Sequence, residues 1–551
     1  MSPRTGTAPL SLADVVWRRA GEQPDGLALV ELRDTGDDLT VSWHELVDLA
    51  DRTATVLTGL GVGPGQTVVA ALPNSADLVT VSLALLRIGA VVCPVLPSLR
   101  EHELGHVLRR SGAHVLVVPE SFRGRGHPGE VIAMAEAGLA PGLRHLLIAP
   151  GHSPAPSATV PATHRLAACV AAARPAGASA RPAGASPHDV AHLLFTSGTT
   201  GEPKGVPHRM DTLNRAALLT ADRLGLTSRD RVHIAAPMAH HSGFLYGMWL
   251  SLLLGSAQIV QPTWNAERAL RAFREWGGTF MQGSTPFLLD LVDAVEAGAT
   301  APAALRTFVI TGASVPRALL ARARARLGVR VCAAWGSTET CMATLSAPED
   351  EAESVAVTDG RPLEGVRLRV TDDSGAELGA GCEGHLEMTG PLVFDGYLGR
   401  DDQTAEAFTP DGWYRTGDLA VLEPSGYLRI TGRAKDVINR GGEKIPVGTV
   451  EQLLAAHPSV RESALVAMPD PRLGERACLF VALYPGKSLR LSDVQEFLDG
   501  HRVTKHYWPE RVEVVGALPR NPAGKVQKFL LRDRLRREFT PHPKGAQFSA
   551  D

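Results

Sequence analysis

Long apolar runs are missing from this 551-residue chain. The longest, Phe244 to Gly255, is about a dozen residues, whereas a membrane-spanning helix needs roughly 20. No membrane span is therefore expected. The N-terminal stretch MSPRTGTAPLSLADVVWRRA lacks the apolar core of a signal peptide, which argues against a secretory route. A surplus of one charge is missing too. Lys and Arg number 56 and Asp and Glu 59, a net charge of -3, so nothing favours nucleic acid or an anionic membrane as a partner. Cysteine is scarce: the six are scattered, with no CxxC pair. That excludes a disulfide scaffold and a zinc knuckle and leaves a reducing, cytoplasmic setting as the expectation. The 19 His show no HExxH or paired metal spacing, so no transition-metal site is read from them. No G-x-S-x-G is present, which counts against an α/β-hydrolase. Lysine is the scarcest charge: eight Lys stand beside 48 Arg. A Lys that persists in such a chain is a candidate for work that a planar guanidinium cannot do. Lys204, Lys435, Lys444, Lys525 and Lys528 all fall in the motifs below.

What is present is ordinary globular material. The chain is 44% apolar and 21% charged, which rules out wholesale disorder. Its length suits one large enzyme with a satellite domain. Apolar strands and helical runs alternate through the first half: strand Thr67 to Leu72, helix Ser75 to Gly89, strand Ala90 to Val95. Further strands are read at Ala113 to Val118, Arg231 to Ala236, Leu305 to Thr311 and Val329 to Ala334, and a helix at Phe244 to Leu254. This β-α-β texture predicts an α/β fold of mixed, mostly parallel sheets. The repeat RPAGASA–RPAGASP within 172–187 reads as a flexible loop. From about 361 to 432, short β runs alternate with Gly and Asp turns, predicting a β-rich subdomain. A compact α+β segment follows. The expected division is a large N-terminal domain over 1–432 and a small mobile C-terminal domain over 433–551.

Six segments carry chemistry. The first runs from the apolar strand Val190 to Phe195 into Thr196-Ser197-Gly198-Thr199-Thr200-Gly201-Glu202-Pro203-Lys204. Glycines let backbone N–H groups approach phosphate oxygens, hydroxyls donate to them, and a lysine offsets their charge. It is not a P-loop, because no Ser or Thr follows Lys204. The others are Pro237-Met238-Ala239-His240-His241-Ser242-Gly243-Phe244; Thr311-Gly312-Ala313-Ser314 with Trp335-Gly336-Ser337-Thr338-Glu339; Trp413 to Leu419 around Asp418; Gly432-Arg433-Ala434-Lys435 through Gly441-Gly442; and Pro519 to Lys528 around Lys525.

In this order the six segments resemble the signatures of the adenylate-forming superfamily, which includes acyl-CoA synthetases, peptide-synthetase adenylation domains and luciferases. The likeness covers essentially the whole chain. It implies a soluble enzyme that uses ATP and Mg²⁺ to join a carboxylic acid to a thiol, coenzyme A first among them. Lys204, Thr338, Glu339 and Lys525 are then the catalytic set, with Thr338 at the α-phosphate and Glu339 holding Mg²⁺. Thr196, Ser197, Gly198, Thr199, Thr200, Gly312, Ala313, Trp335, Gly336, Asp418 and Arg433 would bind the nucleotide, Asp418 and Arg433 at the ribose. His240, His241, Phe244, Gly283, Ser284 and Gly312 would line the acyl pocket. Lys435 takes the hinge position, and Gly441 and Gly442 the thioester-step loop. Trp335 stands where the family usually has Tyr, keeping an aromatic face but losing the hydroxyl. The His-Ser-Gly-Phe-Leu-Tyr-Gly run looks most like synthetases for alicyclic and medium-chain acids. With no cation or amide evident in the pocket residues, a bulky hydrophobic acid is the expected substrate. Two alternatives stand beside coenzyme A ligation: transfer of the acyl group to a carrier protein or partner ligase, and an inactive acyl- or nucleotide-binding homologue.

Overall fold

The computed structural model describes residues 11–34, 36–149, 162–175, 186, 188–196, 203–311, 317–440, 443–445, 447–521 and 524–539. They fall into two compact units. One comprises Met1–Val315, Leu319–Leu368 and Met388–Arg415; the other comprises Pro316–Ala318, Arg369–Glu387 and Thr416–Asp551. The expected β-rich stretch is thus shared between them, and much of it groups with the C-terminal residues.

The first unit holds two large sheets. The order of the larger is Arg361–Pro362, Cys341–Leu345, Arg330–Ser337, Thr307–Thr311, Phe280–Gly283, Arg231–Ile234, Ala257–Val260, Leu27–Glu31, Leu39–Ser42. Its six central strands pair in parallel, and antiparallel strands close both edges. The second runs Lys204–Arg209, Val190–Thr196, Val91–Pro94, Thr67–Ala70, Val115–Pro119, His145–Ala149, Ala162–Arg165. All its pairings are parallel except that of Val190–Thr196 with Lys204–Arg209. Parallel strands need both faces covered, and their near-continuous apolar composition reflects that. Val115–Pro119 is buried at every position, and so is Phe280–Gly283.

Local chemistry sets the helices. Ser42 and Glu45 form a reciprocal capping box at the start of Trp43–Gly59. Asn265 caps Ala266–Trp276, whose apolar face buries Ala269, Leu270, Ala272 and Phe273. The helix expected over Phe244 to Leu254 differs in detail. Phe244–Trp249 is π-helical, and only Leu250–Leu254 is α-helical. All six π-helical residues are buried, so packing on every side decides the wider turn, and an unbroken apolar run carries no signal for it.

A four-stranded sheet, most of whose residues group with the second unit, has the order Arg367–Thr371, Glu383–Thr389, Tyr414–Leu422, Leu428–Arg433. A separate sheet orders Glu443–Ile445, Ile438–Arg440, Gly474–Leu483 and Val460–Asp470, and Arg511–Val514 adds to Gly474–Leu483 in parallel. Helices Val447–Leu454 and Leu491–Gly500 pack one core, and Lys528–Phe539 another. This is the α/β fold with a smaller α+β part that the sequence predicts. Among the described residues, no helix is long and apolar enough to cross a membrane.

Candidate active site

The first motif is a hairpin. Val190–Thr196 pairs antiparallel with Lys204–Arg209, and Thr196 stands opposite Lys204 in register. Thr196 and Lys204 therefore close the hydroxyl-rich loop between them. Ser197, Gly198, Thr199 and Thr200 lie outside the described residues, as do Gly312, Ala313, Gly441 and Gly442.

Thr338 and Glu339 sit on the turn joining Arg330–Ser337 to Cys341–Leu345, where Ser337 pairs with Cys341. The turn is tied internally. Ser337 N donates to Thr340 Oγ1 at 2.9 Å and Glu339 N to Ser337 Oγ at 3.2 Å. Gly336 is required here, because a Cβ on it would lie 1.9 Å from the Cys341 carbonyl oxygen. Trp335, just before it, is buried in the strand. Two outside contacts fix the turn's position. His208 Nε2 lies 2.7 Å from the Thr338 carbonyl, and Phe394 N donates to the Glu339 carbonyl at 2.8 Å. The hairpin that begins at Lys204 thus reaches the turn carrying Glu339.

Tyr397 joins the two catalytic candidates. Its hydroxyl donates to Glu339 Oε1 at 3.1 Å, and the Lys204 ammonium lies 4.4 Å from its ring centroid. A cation over an aromatic face is attracted by the ring quadrupole. Burial, reinforced by the Glu339 charge, pushes the Tyr397 hydroxyl well above its ordinary range, so it remains a donor. His208 and Tyr397 escape sequence reading.

The second motif is shaped from beneath. Asn74, buried, donates from Nδ2 to the Ala236 carbonyl at 2.9 Å and accepts Met238 N at 2.8 Å. Phe244 N donates to the His240 carbonyl at 2.9 Å. His241 is buried and His240 half-buried. Burial holds His240 down to about 4 and drives His241 well below its ordinary value. His208 is likewise held down to about 4 by burial. His192, another buried imidazole, lies flat on Phe244 with centroids 3.9 Å apart. Gly283 ends a fully buried strand, and Ser284 stands at the N-cap position of the following helix without a side-chain capping bond. Among the described residues, His240 Nε2, both ring nitrogens of His241 and Ser284 Oγ are buried without a hydrogen-bond partner.

Asp418, Arg433, Lys435 and Lys525 belong to the second unit. Asp418 and Arg433, both expected at the ribose, face each other across antiparallel strands, with Arg433 Nε 2.8 Å from Asp418 Oδ1. Asp418 lies on a strand and is buried, not on a turn. Lys435 lies in the short turn Ala434–Asp436, whose Asp436 pairs with Arg532 at 2.7 Å. Lys525 is exposed on a tight turn. Its N–H donates to Asn521 Oδ1 at 2.8 Å, and Arg520 bridges to Val526. Acids anchor both ends of this turn: Glu462 holds Arg520 at 3.1 Å and Glu451 holds Lys528 at 2.8 Å.

Comparison with known proteins identifies the family. Residues 16–398 match the AMP-binding enzyme family and residues 449–525 match the AMP-binding enzyme C-terminal domain. The chain belongs to the AMP-binding enzyme family. It is 34% identical to a medium-chain fatty-acid–CoA ligase of Escherichia coli, over 96% of this chain and 91% of that one. It is 32% identical to a salicyl-AMP ligase / salicyl-S-ArCP synthetase of Mycobacterium tuberculosis, over 94% and 89% of the two chains. The ATP-bound crystal structure of MatB from Rhodopseudomonas palustris superposes with a TM-score of 0.84 at 28% identity, over 96% of this chain and all of that one. The class expected from the motifs, an AMP-forming ligase of the adenylate-forming superfamily, is borne out.

Proposed function

We propose that this enzyme activates a carboxylic acid with a largely apolar body and joins it to coenzyme A. The acid's carboxylate oxygen attacks the α-phosphorus of ATP, and the bond to pyrophosphate breaks. The coenzyme A sulfur then attacks the acyl carbon of the adenylate, AMP leaves, and the thiol proton passes to solvent. Adenylation turns a poor leaving group into a good one, so the protein supplies orientation and charge rather than a nucleophile.

The observation that carries this reading is the line Lys204–Tyr397–Glu339 beside the Thr338 turn. Lys204 offers a compact cation to the phosphates. The Glu339 carboxylate is a hard oxygen donor of the kind Mg²⁺ takes, held in place by the Tyr397 hydroxyl. The ion would neutralise phosphate charge as the new bond forms. Asp418 and Arg433 are assigned to the ribose, and Lys525 to the reacting carboxylate and α-phosphate. The C-terminal domain, taken as 433–551, is proposed to turn about Lys435 between the two half-reactions.

Transfer to a carrier protein is the second reading, favoured by the relative that forms salicyl-S-ArCP. Pyrophosphate release across a panel of acids, with and without coenzyme A, separates the two. Acid-dependent release with acyl-CoA formation supports ligation to coenzyme A. Release without any thioester moves the acceptor to a carrier. Lys525→Ala should cut adenylation far more than turnover of supplied adenylate; an equal loss in both would refute its assigned role.

A further inference from the structure

Two side chains of the helix Glu101–Ser111, which no motif contains, reach the backbone on either side of the Lys204–Tyr397 contact. His106 Nε2 lies 3.0 Å from the carbonyl of Pro203, the residue before Lys204. A carbonyl only accepts, so this nitrogen carries the proton and donates. The same ring meets Phe195 edge-on, with centroids 6.3 Å apart. Phe195 stands opposite Gly205, next to the Thr196–Lys204 pair. Arg110 donates from Nη2 to the Leu398 carbonyl at 3.2 Å and to the Gly399 carbonyl at 3.1 Å, immediately after Tyr397. Residues four apart on a helix share a face, so one face of this helix holds both segments. The segments also hold each other. Leu398 N donates to the Gly205 carbonyl at 2.9 Å, and a Cβ on Gly205 would lie 3.2 Å from that of Leu398. We infer that His106 and Arg110 are positioning residues for adenylation: they fix Lys204 against Tyr397 and, through the Tyr397 hydroxyl, fix Glu339. This inference rests on the carboxylate-activating reading above and extends it to residues outside every motif.

The parts of the site explain why such a brace is needed. Lysine ends a flexible four-carbon stem, and a cation on an aromatic face contributes only about 0.5–2 kcal/mol. That contact alone does not fix Lys204. Tyr397 lies in a loop outside any strand or helix, so no ladder of backbone bonds sets its place. Single bonds do so instead: Thr404 Oγ1 accepts Tyr397 N at 2.9 Å, and Arg110 and Gly205 hold the residues that follow. Arginine suits this task, because one guanidinium nitrogen carries two N–H groups in a fixed plane, one for each carbonyl. His106 is buried, so its loss would also disturb packing. Arg110 is only half-buried. Its loss costs the fold little, and a rate effect there reports positioning.

The test uses the full-length enzyme and both half-reactions. Arg110→Met keeps the apolar stem and removes the donors. It should lower kcat of ATP–pyrophosphate exchange about ten- to hundredfold, the scale of a misplaced catalytic group. The Mg²⁺ needed for half-maximal exchange should rise, while the KM of the acid and the melting temperature stay nearly unchanged. Thioester formation from supplied adenylate should change much less. Arg110→Lys should restore part of the rate, and His106→Gln, which keeps a neutral donor, should be faster than His106→Leu. Arg110→Met combined with Tyr397→Phe should be little slower than the worse of the two alone, because residues acting through one contact are not additive. The inference is overturned if Arg110→Met exchanges like the parent enzyme, if it slows both half-reactions equally, or if its loss simply multiplies that of Tyr397→Phe. Where the parent enzyme binds Mg·ATP but exchanges with no acid tried, the readout is Mg·ATP affinity. Arg110→Met should weaken it severalfold, and an unchanged affinity overturns the inference. If the parent enzyme binds no ATP, the carboxylate-activating reading falls and this inference falls with it.

Discussion

The hydroxyl of Tyr397 donates to Glu339 Oε1 across 3.1 Å, while the ring of the same tyrosine lies 4.4 Å from the Lys204 ammonium. One side chain thus spaces the proposed phosphate cation from the proposed metal ligand. Removing only the hydroxyl probes this. Tyr397→Phe keeps the ring under Lys204 and frees one carboxylate oxygen. A hydrogen bond to a charged group contributes about 1.5–3 kcal/mol, so adenylation should fall roughly ten- to hundredfold, with a higher Mg²⁺ requirement. A Mg²⁺ titration of pyrophosphate exchange checks this, and an unchanged titration would refute the role of the hydroxyl.

Close backbone approach at Gly243 gives a stability prediction. A Cβ there would lie 2.2 Å from the Ala236 carbonyl oxygen, so the His240–His241 turn has to move. Gly243→Ala should destabilise by about 2 kcal/mol or more and lower acid binding with it. At Gly21, near the end of the helix Leu12–Glu22, an added methyl group would meet nothing within 4 Å. Gly21→Ala should instead stabilise by up to about 1 kcal/mol, since glycine in a helix is the less favourable residue. Denaturant unfolding of both variants separates local crowding from a general intolerance of substitution.

The anchored Lys525 turn predicts a split between half-reactions. Lys528 pairs with Glu451, which also accepts Leu465 N at 2.6 Å. Lys528→Met releases one end of the turn and should lower adenylation about ten- to hundredfold, the scale of a misplaced catalytic group. Thioester formation from supplied adenylate should change much less. Lys528→Arg should recover most of the loss. Equal losses in both half-reactions would mean only a structural role.

Buried neutral imidazoles predict acid sensitivity. His208 and His240 titrate near 4 in the folded chain, held down by burial, against an ordinary value of about 6.5. Between those values the unfolded state binds more protons, so stability falls as pH drops from about 6.5 toward 4 and is level above. At about pH 5 each contributes on the order of 2 kcal/mol of lost stability. Melting temperatures measured from pH 8 down to 5 should hold level and then decline; a flat profile would contradict neutral burial.

The amino-acid sequence by itself determined the class. Strands and helices alternate in a pattern that burial enforces, and Lys204, Thr338, Glu339, Asp418 and Lys525 stand in segments where Gly, Pro and hydroxyl residues restrict what the backbone can do. Such information is local, and local propensity conveys it. Contacts between distant segments decided the rest. Asn74 reaches Ala236, just before the His240 turn, across 162 residues, His208 reaches Thr338 across 130, and Tyr397 reaches Glu339 across 58. No spacing rule encodes such pairs, because they depend on how the sheets stack. The character of the pocket was decided in the same way. His208 carries no signal along the chain, and only packing sets its ring beside that of His241, with centroids 4.8 Å apart.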